Sequence, residues 1–316
     1  MSLMSQVGRQ QGAQFNHEVT FYAGPEDHAR SVLPFIREAI ARHEPIMVAL
    51  PPDRIAAIER ALGTDGSVVD FVDMTQIGAN PACIIPEWRK FLRDHGDDGP
   101  VRGVGEPIWP GRRDVELAEA ELHESLLNLA FENGPEWRLL CPYDANALPP
   151  EILVEALRNH PVVHTEDGMP DVPYAGSGRA QHAFATGLPA APDEAVRIDF
   201  GAGDLTVVRG IVRRVVEAAH LRVDAGEDLV LAAHEVATNS VVHGGGEGAM
   251  LIWDDCDGLV VEVCDRGLID DPLVGRGFPD LLPEHGRGIW MANRLCDLVQ
   301  VRSGVAGTQV RLHAWH

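Results

Sequence analysis

Lysine is almost absent from this chain of 316 residues, and the single one, Lys90, lies in the segment PEWRKFLRD. A Walker-type phosphate-binding loop needs a lysine directly after its last glycine. The chain therefore has no P-loop nucleotide site. Long apolar runs are also missing, because none approaches the length of a membrane span, so no transmembrane segment is expected.

Cysteine is sparse as well: the five residues are scattered, odd in number and never spaced as Cys-x-x-Cys. This distribution favours reduced thiols in a cytoplasmic protein over a disulfide framework or a zinc site. Basic residues are few, with 26 Lys and Arg against 48 Asp and Glu, and the formal net charge is −22. Such a chain repels polyanions at long range, so direct binding to nucleic acid is not expected.

The order of apolar runs and breakers predicts two domains, each long enough to bury its own core. Residues 1–16 are polar and predict a disordered tail. Alternating short strands and helices in residues 17–165 predict a parallel α/β sheet with helices on both faces. Residues 166–194, rich in Pro, Gly and Ala, predict a linker. Residues 195–316 predict a second domain, an α/β sandwich with a mixed sheet.

Individual elements of the first domain are also predicted. The strands are Glu18–Tyr22, Pro45–Leu50, Val68–Val72, Val101–Gly105, Arg138–Pro142 and Val162–His164. The helices are Pro25–Arg42, Pro52–Leu62, Ile85–His95, Asp114–Glu132 and Pro150–His160.

Four short motifs follow one another along the last part of the chain. They are Glu235-x-x-x-Asn239, Asp265-Arg266-Gly267, Gly286-Arg287-Gly288 and Gly307-Thr308. None is specific alone, and each has a structural alternative: a solvated helix face, a strand-to-turn aspartate or a flexible turn. Their order, their spacing and the elements on which they fall make the set informative.

The first motif lies on a predicted helix with an apolar stripe, from about residue 227 to 243. Residues four apart share one helix face, so Glu235 and Asn239 project together, with His243 a turn further on. An amide oxygen is a suitable hard ligand for Mg²⁺, which also takes oxygens from substrate phosphates. A nearby carboxylate can act as a general base.

The later motifs suit a nucleotide. Asp265 follows an apolar strand and can accept a hydrogen bond from the amino group of adenine, while Gly267 lets the backbone approach a planar ligand. The glycines Gly286 and Gly288 open a helix whose amides and dipole suit a polyphosphate, and Arg287 adds a cation. The intervening segment, rich in Gly, Pro and Asp, predicts a loop.

This set resembles the ATP-binding domain shared by gyrase, Hsp90, histidine kinases and MutL (the GHKL or Bergerat fold), and within it the anti-sigma-factor serine kinases of bacterial partner switching. The resemblance implies ATP and Mg²⁺ as ligands, with Asn239 on the metal and Glu235 as general base. It implies a mobile lid between Gly267 and Gly286, and a contact of Thr308 near the base. The implied partners are a sigma factor, an STAS-type anti-anti-sigma protein, or both.

The first domain resembles the sensory domain named for methanogens, methylotrophs and the dichloromethane regulator (MEDS). The resemblance rests on the segments His17–Tyr22, Gly105–Trp109 and Cys141–Asp144, together with Glu121. It implies a RecA/KaiC-like fold without a P-loop, and small-molecule sensing. Candidate ligand-binding residues near strand ends are His17, Tyr22, Glu106, Trp109 and Tyr143. The alternative is structural: His17 pairs with Glu106, and Trp109 belongs to the core.

Together these patterns predict a cytoplasmic signalling regulator, in which a small-molecule-sensing domain controls an ATP-dependent protein serine kinase of the anti-sigma-factor type. One alternative is an ATP-binding partner-switch module with little or no catalysis. Another is a sensor histidine kinase, but this needs a phosphoacceptor histidine on a two-helix hairpin that the predicted linker does not supply. The sequence does not decide whether the chain forms a homodimer.

Overall fold

The computed structural model describes residues 15–96, 99–164, 172–176, 178–277 and 287–316. The chain divides after Arg179 into two compact units. Most of the predicted tail, parts of the predicted linker and lid, and Gly286 lie outside the described residues. Within the described residues, no helix combines the length and the apolar character needed to cross a membrane.

The N-terminal unit is an α/β domain. Its strands are β1 (Phe15–Tyr22), β2 (Ile46–Leu50), β3 (Val69–Asp73), β4 (Val101–Gly105), β5 (Trp137–Asp144) and β6 (Val162–His164). Its helices are α1 (Pro25–Arg42), α2 (Pro52–Leu62), α3 (Met74–Ile77), α4 (Ile84–His95), α5 (Asp114–Phe131) and α6 (Pro150–Asn159), with 3-10 turns at Gly63–Val68 and Pro81–Cys83. The strands form one parallel sheet in the order β3-β2-β4-β5-β1-β6.

Helices cover both faces of this sheet, as the sequence predicts. On one face, α1 and α2 pack against strand residues such as Val48, Val104 and Leu140. On the other, the indole of Trp88 in α4 lies against Gly103 of β4. Because strand side chains alternate between faces, His17 and Tyr22 of β1, five residues apart, point to opposite sides of the sheet.

The C-terminal unit is a helix-on-sheet sandwich. Its strands are β7 (Val196–Gly201), β8 (Glu247–Asp255), β9 (Gly258–Asp265), β10 (Leu298–Gly304) and β11 (Gly307–Trp315). The helices that follow or precede them are α8 (Leu205–Ala218), α9 (Val223–His243) and α10 (Arg287–Leu295). A further helix, α7 (Gly178–Ala185), spans the boundary between the two units.

The sheet of this unit has the order β10-β11-β9-β8-β7, and every described strand pair is antiparallel. The predicted mixed sheet is therefore wrong. Tight hairpins join β8 to β9 and β10 to β11, and the α8–α9 pair returns the chain so that β7 and β8 also run in opposite directions. The core lies between the sheet and the three helices, with Val236 of α9, Ile289 of α10 and Val263 of β9 among its members.

The predicted linker is not uniform. Part of it forms α7, in which Ala180 and Phe184 are buried. The backbone N–H of Leu188 donates to Oε1 of Gln309 at 3.0 Å, and Arg311 donates to the carbonyl of Pro189 at 2.7 Å. Two residues before β7 are therefore hydrogen-bonded to side chains of β11.

Candidate functional site

The helix α9 carries the first motif across the sheet of the C-terminal unit. Its buried stripe runs through Leu229, Ala232, Ala233, Val236, Ala237 and Ser240. Glu235 and Asn239 are only half-buried, four residues apart on the side that this stripe leaves open, and the side chain of His243 is exposed. The structure thus presents these two groups along one helix face, as the spacing predicts.

Asp265 stands at the end of β9, next to the end of α9. Its Oδ2 accepts a hydrogen bond from the Ser240 hydroxyl at 2.6 Å, and its Oδ1 accepts one from the backbone N–H of Gly267 at 2.8 Å. A carboxylate has about four acceptor positions, so two stay open to a ligand donor. Both bonds fix the orientation of the carboxylate before any ligand arrives.

Gly244 is a site residue that motif reasoning did not identify. It ends α9, and a Cβ at this position would overlap the Asp265 carboxylate, with both carboxylate oxygens 2.6 Å away. Only glycine allows the helix end and the aspartate to meet this closely. The signal in the sequence is the run of glycines directly after His243.

Thr308 lies opposite Asp265 in the register of β9 and β11. Its hydroxyl is buried and donates to the carbonyl of Gly267 at 2.9 Å, and it also contacts the Ser303 hydroxyl at 2.8 Å. Ser303 in turn accepts from the backbone N–H of Ile269 at 2.7 Å. In this structure Thr308 holds the turn after Asp265 and the start of the following loop.

The third motif meets the first at the beginning of α10. Gly288 is buried, and a Cβ there would overlap the side-chain amide of Asn239. Arg287 is exposed at the first position of α10. The structure therefore brings Asn239, Asp265, Gly267 and Gly288 together around the C-terminal part of α9. We call this part, from the half-buried Glu235 to the exposed His243, the open end of α9.

The described half of the predicted lid is anchored rather than free. Val274 packs against the core of the unit, and Nδ2 of Asn293 in α10 donates to the carbonyl of Gly275 at 3.2 Å. Gly275 has a positive φ of 72° and approaches Ile289 closely.

The five sensory candidates do not share one site in the N-terminal unit. On the α1 face, the Tyr22 hydroxyl donates to Oε1 of Glu106 at 2.5 Å, and His28 of α1 approaches the same carboxylate at 3.3 Å. The Arg54 guanidinium lies 5.4 Å from the centre of the Tyr22 ring and 3.9 Å from the Asp144 carboxylate. Burial and the neighbouring Glu106 raise the pKa of Tyr22 far above its usual value.

This group lies at the carboxyl ends of three adjacent strands: Tyr22 ends β1, Glu106 follows β4, and Asp144 ends β5. That edge is where open α/β sheets bind ligands. Both ring nitrogens of His28 and Oε2 of Glu106 are buried without a hydrogen bond of good geometry. These atoms can accept or donate to an incoming polar molecule.

His17 and Tyr143 lie on the opposite face. Nε2 of His17 is 3.2 Å from the Glu124 carboxylate, so the alternative of a His17–Glu106 pair is wrong. Alternation along β1 places His17 on the face opposite Tyr22, and Glu106 contacts Tyr22. His160 also contacts Glu124, at 3.1 Å, and the Tyr143 ring meets the His160 ring edge-on. Burial, and then the neighbouring His160, lower the pKa of His17 to about 4, while burial raises the pKa of the Cys141 thiol.

Trp109 belongs to neither group. It is half-buried, and the Arg112 guanidinium stacks 3.6 Å from the centre of its ring. Arg112 also donates to the carbonyls of Pro107 and Gly78, and burial lowers its pKa to about 10. The core alternative for Trp109 is therefore wrong, because its ring supports the loop after β4 rather than filling the interior.

Comparison with known proteins identifies two different domains in the chain. Residues 16–161 match the model of the MEthanogen/methylotroph, DcmR Sensory (MEDS) domain, and residues 201–314 match the model of the histidine kinase-like ATPase domain. No curated protein is significantly similar to the chain. A solved structure of the RsbU and RsbW domains of Rv1364c from Mycobacterium tuberculosis is 21% identical, with a TM-score of 0.30. That match covers 40% of this chain and only 33% of the neighbour.

The architecture is thus that of a sensory α/β domain followed by an ATPase-type sandwich. In family terms, the chain combines a MEDS domain with a histidine kinase-like ATPase domain.

Proposed function

We propose that the chain is a signalling regulator in which a small molecule bound by the MEDS domain controls an ATP-binding, kinase-like domain that acts on a protein partner. The observation that carries the nucleotide site is the meeting of Asn239, Asp265 and Gly288 at the open end of α9. Residues from three separate motifs, distant in sequence, converge there with polar atoms on one side and a packed core on the other.

The residues present fit ATP and Mg²⁺. Asn239 offers an amide oxygen beside the start of α10, where a glycine leaves space and the helix dipole favours phosphate. Arg287 adds an exposed cation at that helix start. Asp265 keeps acceptor positions for the adenine amino group, since Ser240 and Gly267 use only part of its capacity. Bound Mg-ATP would supply a transferable phosphoryl group.

Glu235 is the general base in this proposal. It lies one helical turn before Asn239 on the same open face of α9. A carboxylate in that position can accept the proton of an attacking hydroxyl on a protein serine. The partners we propose are a sigma factor, an STAS-type anti-anti-sigma protein, or both.

The sensory site we propose is the group at the carboxyl ends of β1, β4 and β5, formed by Tyr22, Glu106 and His28 with Arg54. The start of α1 does not favour a phosphate there, because the Asp27 carboxylate already accepts the backbone N–H of Ala23 at 2.9 Å. A small polar molecule that hydrogen-bonds to Glu106 and His28 fits better than a nucleotide.

A histidine kinase is disfavoured. In the described part of the segment before β7, the one helix, α7, has eight residues, too short for half of a dimerising hairpin.

The decisive test is incubation of the full chain with labelled ATP, Mg²⁺ and single-domain anti-anti-sigma proteins encoded in the same genome. Serine phosphorylation of one of them, lost in Asn239→Ala, supports the kinase. ATP binding by calorimetry without any transfer supports the non-enzymatic partner switch. If GTP binds as tightly as ATP, Asp265 does not read the base. If Asn239→Ala keeps full affinity for Mg-ATP, Asn239 is not a metal ligand.

A further inference from the structure

Four buried side chains with metal-binding atoms converge on the α5 side of the N-terminal sheet. They are His17 of β1, Glu124 of α5, Cys141 of β5 and His160, which caps the C-terminus of α6. Their ligand atoms all lie within 4.8 Å of one another, and each residue is at most 1% exposed. We call this group the His-Glu-Cys-His cluster.

Three separations within the cluster are close to those of ligands around one ion. His17 Nε2 lies 3.2 Å from Oε2 of Glu124, His160 Nε2 lies 3.1 Å from the same oxygen, and Cys141 Sγ lies 3.4 Å from His17 Nε2. Zinc bonds of about 2.0–2.3 Å arranged as a tetrahedron separate neighbouring ligand atoms by about 3.3–3.7 Å. These three separations need to change by only a few tenths of an ångström to admit an ion, and the remaining pairs of ligand atoms lie within 4.8 Å.

Hydrogen bonds within the protein satisfy this cluster only in part. Both carboxylate oxygens of Glu124 and Nε2 of His160 are buried without a hydrogen bond of good geometry, despite the short distances. Buried polar atoms are nearly always paired, because leaving a charged one unpaired is costly. Oε2 of Glu124 and Nε2 of His160 face each other at 3.1 Å without such a hydrogen bond, and a cation between them would accept a lone pair from each.

The Nδ1 atoms of both histidines contact oxygen atoms outside the cluster. Nδ1 of His160 contacts the carbonyl of Ala156 at 2.7 Å, and Nδ1 of His17 contacts Oδ1 of Asn128 at 3.2 Å. Asn128 is itself oriented by a bond from its Nδ2 to the carbonyl of Asn159 at 2.8 Å. When Nδ1 donates to an oxygen, the Nε2 lone pair points into the cluster, which is the arrangement typical of metal-binding histidines.

We propose that the His-Glu-Cys-His cluster is a closed, four-coordinate site for Zn²⁺. Two imidazoles, one carboxylate and one thiolate suit this borderline ion, and four protein ligands leave no open coordination position. The carboxylate of Glu124 and the thiolate of Cys141 supply two negative charges, which balance the charge of the ion. On binding, the Cys141 thiol gives its proton to solvent.

The ligands come from β1, α5, β5 and the end of α6, so the ion would fasten four elements of the sensory domain. His160 is also two residues from β6, the last strand before the segment that leads to the C-terminal unit. Because the unfolded chain has no preformed site, metal binding contributes directly to the stability of this domain. The inference concerns this domain alone and does not depend on the proposed kinase activity.

The first test is elemental analysis of the purified full chain without added metal. We expect about one zinc per chain in the wild type, and at least a tenfold loss in Cys141→Ser and in His160→Ala. Cys83→Ser is the matched control, because it removes another buried thiol of the same domain outside the cluster. Equal zinc in Cys141→Ser and Cys83→Ser overturns the site, and one equivalent of another metal overturns the assignment to zinc.

A second measurement guards against variants that fail to fold. The wild-type chain is stripped with a chelator and titrated with Co²⁺, which gives intense visible bands in a tetrahedral site and a near-ultraviolet band when sulfur is a ligand. We expect both, saturating at about one equivalent and reversed by Zn²⁺. If the stripped, folded chain gives only the weak spectrum of hydrated Co²⁺, the proposal fails whatever the variants do.

Discussion

Asn239 and Asp265 in the C-terminal unit are half-buried at the ends of α9 and β9, whereas Glu106 and Glu124 in the N-terminal unit are almost completely buried. The difference follows from the two sheets. Helices cover both faces of the parallel sheet, whereas α8, α9 and α10 pack on one face of the antiparallel sheet. Burying a carboxylate is costly unless it has a partner.

This contrast suggests different modes of binding in the two units. The open end of α9 can exchange a soluble nucleotide, because its polar residues keep water as the alternative partner. The enclosed groups of the sensory domain have no such alternative, so they depend on partners inside the protein or on a ligand that enters. The predictions below test this comparison, beginning with the largest expected effect.

Glu235→Gln is expected to lower phosphoryl transfer by about 10²–10⁴-fold, because the amide keeps the shape of the side chain but cannot accept a proton. Affinity for ATP, measured by calorimetry, is expected to change little. Joint loss of binding and transfer would make Glu235 part of the binding site instead. If the variant kept full phosphoryl transfer, Glu235 would not be a general base, and catalysis would rest on positioning and charge stabilisation alone.

A fragment of residues 178–316 is expected to be more stable than one of residues 195–316, by about 2–4 kcal/mol in the free energy of unfolding. The shorter fragment loses the buried Phe184 and the hydrogen bonds that Leu188 and Pro189 make with β11. Urea unfolding of both fragments measures the difference. Equal stability would mean that this segment is only a connection.

Gly244→Ala is expected to destabilise the C-terminal unit by about 1–3 kcal/mol and to weaken ATP binding, because the new methyl group overlaps the Asp265 carboxylate. Gly210→Ala in α8 is the matched control. Nothing lies within 4 Å of a Cβ at Gly210, so the same change in a helix interior should be neutral or stabilising. The close approach at Gly244 would be disproved if both variants had the wild-type stability.

Most of the fold could be predicted from the sequence, because local signals determine it. The prolines at the first turns of α1, α2 and α6 coincide with the predicted helix starts, and β4 and β6 have the predicted bounds. Three of the four proposed nucleotide-site motifs adjoin the ends of such elements: Asp265 ends β9, Arg287 begins α10 and Gly307 begins β11. The direction of the strands in the second sheet depends on which strands become neighbours, and no local pattern encodes that choice.

The sensory domain shows where such reasoning ends. His17, Glu124, Cys141 and His160 are spread over more than half of that domain, so no spacing rule joins them; only the parallel register of β1 and β5 places His17 and Cys141 on one face. Cysteine spacing argued against a zinc site because it considers thiols alone. Glu124 and His28 were missed because a single carboxylate or imidazole in a helix has no distinguishing pattern.

Tyr22→Phe is expected to lower the stability of the N-terminal unit by about 1–3 kcal/mol, because the buried Glu106 carboxylate loses the donor at 2.5 Å. Tyr174→Phe, at an exposed tyrosine of the same unit, should stay within about 0.5 kcal/mol of the wild type. Chemical denaturation followed by circular dichroism measures both. A neutral Tyr22→Phe would show that Glu106 does not depend on this partner.

His313 gives the most specific test, because it is a buried titratable group within the more open unit. Its Nε2 lies 3.1 Å from Oε1 of Gln300, and burial, with a contribution from Arg311, lowers its pKa to about 4. Between pH 6.5 and pH 4 the unfolded chain binds a proton on this residue that the folded chain does not. The contribution to stability is therefore complete at neutral pH and is lost as the pH falls, by about 3–4 kcal/mol at most.

Native-state hydrogen exchange of the amides in β10 and β11, corrected for intrinsic rates, measures this loss in the full chain. In His313→Gln, which does not titrate, protection of these amides should fall less steeply between pH 6.5 and pH 4 than in the wild type. The comparison is made between slopes, so a constant cost of the substitution cancels. Identical slopes would mean that groups other than His313 cause the acid sensitivity of this sheet. The burial of His313 would then make no difference to how the stability of the C-terminal unit depends on pH.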